Sequence, residues 1–200
     1  MGNAHADHHE EEVLPHGTLT PGKFCMWLFL GSDAMGFATL ICSYLVLRMA
    51  SPQWVPDSLP LPPIELTGFS TFVLIVSSLT MVMAYSAVCD GRIRALQGWL
   101  FATFLGGVIF LACQAYEYSH LIHQGLTMDT SPYAATFYTI TGYHGLHVLA
   151  GVIYIGCYLI KALRGKIKSS DSSEIEVLGL YWHFVDLVWI FVFTVIDLIP

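Results

Sequence analysis

Formal charges vanish from this chain for long intervals, and those intervals set the architecture it predicts. No Asp, Glu, Lys or Arg occurs in the 24 residues between Glu65 and Asp90, the 22 between Arg94 and Glu117, or the 31 between Asp129 and Lys161. Each interval exceeds the roughly 20 residues a helix needs to cross a hydrocarbon layer. Lys23 to Arg48 brackets another apolar stretch broken only by Asp33, and the 20 residues between Glu176 and Asp197 carry one charge, Asp186. The pattern predicts an all-α polytopic membrane protein with five transmembrane helices, at about 23–48, 66–89, 94–121, 132–162 and 175–199. These helices make a single domain over 23–200, behind a mobile polar tail over 1–22.

The connections refine the picture. Ser51 to Pro63 holds five prolines and is expected to be extended. Asp90-Gly91-Arg92-Ile93 is short enough to force its flanking helices into an antiparallel pair. Lys161 to Glu176 is a longer hydrophilic loop. With five spans, one side of the membrane holds Lys23, Arg92, Arg94, Lys161, Arg164, Lys166 and Lys168, and the other holds only Arg48. By the positive-inside bias the N-terminus lies inside and the C-terminus outside.

Polar residues within the spans are the candidate chemistry, because an acidic side chain at a helix centre costs roughly 2.5–3.5 kcal/mol on insertion scales. In Trp182-His183-Phe184-Val185-Asp186, the indole and imidazole stand at i−4 and i−3 from the carboxyl and could both donate hydrogen bonds to it. Tyr143-His144-Gly145-Leu146-His147 places two histidines near mid-membrane. With His183, these imidazoles could ligate haem or copper, or they could make interhelical hydrogen bonds on a face that Gly142, Gly145 and Gly151 keep small. Gln114, Glu117 and His120 form a polar stripe, with Glu117 close enough to the helix end for water or headgroups to solvate it. Asp33 lies ten residues beyond Lys23, about 15 Å deep, as an isolated carboxyl beside a Ser32–Gly36 small-residue seam. It is either a packing acid or a proton- or lipid-linked site. A dihaem cytochrome b and a proton transporter are thus open readings of the residues alone. Lys161 and Arg164 are candidates for lipid headgroups.

Composition agrees and excludes other classes. The chain is 55% hydrophobic and 12% charged, against about 25% charged in soluble domains. Its net charge of −7 and lack of a basic patch exclude nucleic acid as a partner. The five cysteines fall in or at the ends of spans without CxxC pairing and read as buried small hydrophobes, not as metal ligands or disulfides. The histidine-rich start, His5 to Glu12, reads as a solvated tail, and it lacks the basic region of a cleavable signal. No nucleophile–base pair, phosphate loop or dinucleotide fingerprint is present.

Three stretches in register resemble the subunit III family of haem–copper terminal oxidases: Gln114-Ala115-Tyr116-Glu117-Tyr118, Tyr143-His144-Gly145-Leu146-His147-Val148, and Tyr181 through Trp189. Gly31-Ser32-Asp33-Ala34 resembles the family's buried acidic position, although aspartate stands where longer members usually carry glutamate. The chain looks like the short five-helix bacterial form. The resemblance implies an accessory subunit of a cytochrome c oxidase in a bacterial inner membrane, without a redox centre, metal or catalytic residue of its own. Haem and copper then belong to partner subunits, and this chain stabilises subunit I, bound phospholipid and proton uptake. Subunit I would be its direct neighbour, subunit II would share the complex, and a respiratory supercomplex would be the wider assembly. Under this resemblance His144, His147, Trp182, His183 and Asp186 are structural polar contacts, while Asp33 and Glu117 are the buried acids tied to protons or lipid. A quinol oxidase and a nitric-oxide-reductase-associated homologue are the alternatives within the family.

Overall fold

A computed structural model of the chain describes residues 20–51, 54, 62–168 and 171–196. Five helices account for nearly all of them: α1 Pro21–Ala50, α2 Ile64–Cys89, α3 Ile93–His123, α4 Pro132–Leu163 and α5 Ser172–Ile196. All five are long and apolar enough to cross a membrane, as the charge-free intervals predict. Their described ends fall within three residues of the expected ones. The first helix starts earlier than expected because Thr20 caps it, accepting the Lys23 amide at 3.4 Å, with Pro21 in the first turn. The remainder of the expected tail and nearly all of the proline-rich connection lie outside the described residues. Trp54, described within it, is buried edge-on between the rings of Tyr44 and Tyr133.

Glycine closes three of the helices in the same way. After α2, Gly91 takes φ 69°, Arg92 N–H bonds to Ala87 O at 2.8 Å, and Gly91 N–H bonds to Val88 O at 3.1 Å. This capping loop reverses the chain within a few residues and makes α2 and α3 the antiparallel neighbours the short connection demanded. Gly125 and Gly165 close α3 and α4 with the same pair of bonds.

Helices α2, α3, α4 and α5 pack in a ring, each against the next, and α1 lies outside it against α4 and α5. Trp182, 1% exposed, fills the centre of the ring. A β-carbon on Gly107 of α3 would stand 2.7 Å from its Cη2, and one on Gly151 of α4 would stand 2.8 Å from its Cε3. Small residues thus let three helices close on one indole, which is how helices associate where lipid removes the hydrophobic drive between them. The outer surface is apolar, with Trp27, Met35, Phe72, Leu146 and Phe191 all exposed.

The cysteines correct one expectation. Cys25, Cys42, Cys89 and Cys157 are exposed on the outside of the bundle and Cys113 is half-buried, so they do not act as core hydrophobes. A thiol is apolar enough to face lipid as readily as protein.

Candidate functional site

Polar side chains within the spans collect at helix interfaces, and each cluster has a different set of partners. Where α1 meets α4 and α5, Asp33 is buried, and Oδ1 lies 3.2 Å from His147 Nε2 and 3.0 Å from the Tyr143 hydroxyl that donates to it. Tyr181 donates to the carbonyl oxygen of His147 at 2.9 Å, and Phe37 packs on the rings of Tyr143 and His147. Asp33 is therefore not the isolated carboxyl expected, because its partners come from a helix more than a hundred residues away. The Ser32–Gly36 seam does not form either: Ser32 is exposed and bonds to Phe29 O, whereas Gly36 faces the Tyr143 hydroxyl.

The hydrogen bonds around His147 determine what this cluster can do. His147 Nδ1 lies 2.8 Å from Tyr143 O, and a carbonyl can only accept, so Nδ1 carries the hydrogen. A neutral imidazole would then offer a bare lone pair at Nε2 to Asp33 Oδ1. The contact at 3.2 Å is an ion pair when the ring is protonated. Asp33 Oδ2 has no hydrogen-bond partner among the described residues.

His144, one turn away on α4, is fully buried and makes no such contact. Its ring stacks on Trp189, with centroids 4.7 Å apart, and meets Phe110 edge-on at 5.8 Å, and neither ring nitrogen has a hydrogen-bond partner among the described residues. His183 faces a third direction, with Nδ1 2.6 Å from the Ser78 hydroxyl on α2. The three imidazoles point to three separate interfaces, so they do not bracket a common ligand axis as a bis-histidine haem requires. Among the described residues no group of three or more His, Cys, Asp or Glu side chains converges.

The expected bonds from Trp182 and His183 to Asp186 do not form. Trp182 Nε1 donates to Ser77 Oγ at 3.1 Å, Trp189 Nε1 donates to Thr71 Oγ1 at 2.8 Å, and His183 meets Ser78. The Asp186 carboxyl is buried, and its Oδ1 has no hydrogen-bond partner among the described residues. The sequence reading missed these hydroxyls. The signal was there as Thr67, Ser70, Thr71, Ser77 and Ser78, spaced to return to one side of an otherwise apolar helix.

The expected stripe on α3 divides, since three residues advance a helix by 300° and each step drifts by about 60°. Gln114 turns to α4, donating to Thr141 O at 2.7 Å. Glu117 turns to α2, is buried, and accepts from Thr67 Oγ1 at 3.0 Å, so it is sequestered from headgroups. His120 alone stays exposed, bonded to Gln124. At the opposite membrane end, Lys161 pairs with Glu174 at 3.0 Å and lies 4.7 Å from the Tyr158 ring centroid, while Arg164 is exposed.

Two adjoining grooves open beside the Asp33 cluster. One, of about 510 Å³, is lined by Tyr118, Ile122, Met128, Tyr138, Gly142 and Leu146. The other, of about 660 Å³, shares Met128, Tyr138, Gly142 and Leu146 and adds Gly36, Thr39 and Tyr143.

Comparison with known proteins matches residues 7–198 to the family described as cytochrome c oxidase subunit III. A probable cytochrome c oxidase subunit 3 of Nocardia farcinica is 39% identical over 84% of this chain and 83% of its own length. A cytochrome c oxidase subunit 3 of Synechocystis is 36% identical over 99% of this chain and 81% of its own. A quinol oxidase subunit 3 of Bacillus subtilis is 35% identical over 84% of this chain and 82% of its own. With a match across nearly the whole chain and a five-helix architecture behind it, this chain belongs to the cytochrome c oxidase subunit III family of haem–copper oxidases.

Proposed function

We propose that this chain acts as a non-catalytic accessory subunit of a respiratory haem–copper oxidase, supporting subunit I, bound phospholipid and proton uptake from within the membrane. Family membership makes it part of an oxidoreductase complex. Haem and copper are assigned to the partner subunits, subunits I and II. The observation that carries the reading is the buried Asp33 carboxyl, 3.2 Å from His147 Nε2 and accepting from the Tyr143 hydroxyl where α1 joins the bundle. A carboxyl and an imidazole so close in low dielectric support a role in proton uptake, because together they can hold a proton without a net charge facing lipid.

The adjoining apolar grooves suit acyl chains, and Tyr143 stands at the boundary between groove and acid. Arg164, exposed at the end of α4, suits an anionic headgroup on that side, and Lys161 would have to share itself with Glu174. The lysine and arginine bias supports an inside N-terminus in a bacterial plasma membrane. Relatives named for cytochrome c and for quinol lie at similar identity, so the electron donor is a property to read from the partner subunits.

Purifying the oxidase with and without this chain tests the accessory role. Haem absorption is expected to be unchanged and activity to decay faster during sustained turnover. Loss of the haem bands would place a redox centre here and overturn the proposal. Asp33→Asn tests the site: it is expected to alter proton uptake, retained lipid or turnover lifetime, and leaving all three unchanged would remove Asp33 from the mechanism.

A further inference from the structure

Among the described residues, every hydroxyl that lines the two grooves has already spent its hydrogen. Tyr143 donates to Asp33 Oδ1 at 3.0 Å, Tyr138 to Leu126 O at 2.8 Å, Thr39 to Met35 O at 2.8 Å and Thr139 to Ala135 O at 2.7 Å. Thr127 donates to the Asp129 carboxylate. Tyr118 shares a 2.6 Å contact with Thr141, whose own hydrogen goes to Phe137 O, so Tyr118 is the donor there. These oxygens keep only lone pairs. Between them the walls are hydrocarbon, from Leu40, Ile122 and Leu146. The grooves therefore offer a ligand acceptors on an apolar surface, and no hydroxyl donor.

Two of these oxygens are laid open by glycines. A β-carbon on Gly36 of α1 would lie 3.6 Å from the Tyr143 hydroxyl, and one on Gly142 of α4 would lie 3.6 Å from the Tyr118 hydroxyl. No other described atom comes within 4 Å of either position, so each glycine leaves a methyl-sized gap over a phenolic oxygen. Gly36 stands midway along α1, about 22 Å from either end at 1.5 Å per residue. Depth and hydrogen-bond polarity together select the occupant of that gap. A phospholipid keeps its glycerol and headgroup at the surface and reaches mid-membrane only with hydrocarbon, which gives Tyr143 nothing. An ammonium would donate, but a charge at that depth is costly. A quinone head is neutral, yet it presents carbonyl oxygens, and lone pair would meet lone pair. Its reduced form carries two phenolic hydroxyls on a flat neutral ring, and those donate. A phenol is also a stronger donor than an aliphatic alcohol, and its ring suits walls built from Tyr138 and Tyr143.

We propose that the groove between α1 and α4 binds an isoprenoid quinol and discriminates against the oxidised quinone. One ring hydroxyl donates to the Tyr143 oxygen beside Gly36, and the tail leaves past exposed Leu146 into the lipid. Discrimination follows because a site that takes a hydrogen bond from its ligand rejects the analogue that has none to give. The site is one of binding, with no electron transfer assigned to it. It goes beyond the acyl-chain reading of the grooves, whose outer end at Met128 and Ile122 stays free for lipid.

The experiment uses the assembled oxidase containing this chain, in detergent micelles without oxygen, with radiolabelled decyl-ubiquinol and decyl-ubiquinone as probes. A site that prefers the quinol by roughly ten-fold is expected, the factor matching one hydrogen bond. Gly36→Ala is expected to abolish it, because the methyl fills the gap over the Tyr143 hydroxyl at an ordinary contact distance and strains nothing. A quinol site elsewhere in the complex does not respond to that change, so the difference between the two preparations isolates this one. Gly68→Ala, equally open but on α2, is expected to leave binding intact. Tyr143→Phe, which keeps the ring and removes the oxygen, is expected to erase the preference for the reduced form. Equal affinity for the two redox forms, or a preference that survives Gly36→Ala and Tyr143→Phe, would overturn the proposal. Dodecanol competing as well as the quinol would overturn the choice of ligand. A complex that retains phospholipid but shows no quinol binding sensitive to Gly36→Ala would refute the proposal and leave the acyl-chain reading standing; retention of neither would sink both.

Discussion

Gly151→Ala is the sharpest test of how the four-helix ring holds together. The added carbon would lie 2.8 Å from both Cε3 and Cζ3 of Trp182 and 3.1 Å from Cε1 of Tyr181. Carbon atoms pack best at about 3.5–4.0 Å, so the overlap with the indole is about 0.7–1.2 Å. The indole has no room to retreat. Its far edge already fills the space beside Gly107, and its Nε1 is bonded to Ser77. Overpacking of this kind costs about 1–3 kcal/mol, and inside a bilayer no transfer gain offsets it, since a methyl is no better off among side chains than among lipid tails. Trp182→Leu alone should also destabilise, by about 2–4 kcal/mol, through the cavity and the lost bond. Combined, the two should cost less than their sum, because the smaller side chain vacates the space the methyl needs. The coupling should approach the whole Gly151→Ala penalty. Unfolding of the four proteins by sodium dodecyl sulfate in mixed micelles, followed by far-ultraviolet circular dichroism, measures the cycle. Additivity within about 0.5 kcal/mol, or a neutral Gly151→Ala, would show that the indole is not what the glycine accommodates.

Other positions give independent tests. Gly145→Ala would put a β-carbon 2.6 Å from Gln114 Oε1, turning the amide away from Thr141 O, and should cost about 1–3 kcal/mol in the same unfolding assay, with the loss shrinking in a Gln114→Ala background. Gly91→Ala forces a side chain into φ 69° at the α2–α3 turn and should cost about 1 kcal/mol, read as a lowered unfolding midpoint. Lys23→Met removes the cation from a partly exposed pair, so the loss should be about 1–2 kcal/mol rather than the 3–5 of a fully buried one. Hydrogen exchange should then rise in α1 and not in α3, and a uniform rise would mean the ion pair does not anchor α1 specifically.

The spans were legible because the bilayer imposes a length on them. A helix that must cross about 30 Å of hydrocarbon leaves a charge-free interval, and that interval can be read without knowing any neighbour. The pairing of the polar groups was not legible, because it depends on which helices touch. His183 and Asp186 are close in sequence and look like partners, yet His183 bonds to the Ser78 hydroxyl of α2. Gln114 and Glu117 look like one stripe, yet a drift of about 60° between them is enough to send one to α4 and the other to α2. Asp33 looked solitary because its partners, Tyr143 and His147, approach from the far end of the chain. The cysteines misled for a different reason: burial is the usual fate of a thiol in water, but in lipid the outer surface serves equally well.

Two kinds of adhesion divide the molecule, and the division sets where the Asp33 cluster lies. Helices α2 to α5 interlock around Trp182 through glycines, a fit that tolerates almost no displacement. Helix α1 has no share in that fit. Among the described helices it packs on α4 and α5, with Phe37 and Tyr44 as its buried rings, and it is tied by Lys23 to Glu176 and by Asp33 to His147 and Tyr143. Polar contacts of this sort fail sharply with distance: an ångström added to the 3.2 Å between Asp33 and His147 removes the contact, while the dispersion lost along α1 would be slight. A rigid ring beside a loosely held helix therefore makes the Asp33–His147 contact sensitive to whatever presses on α1, whereas a buried acid placed inside the ring would be insulated from it.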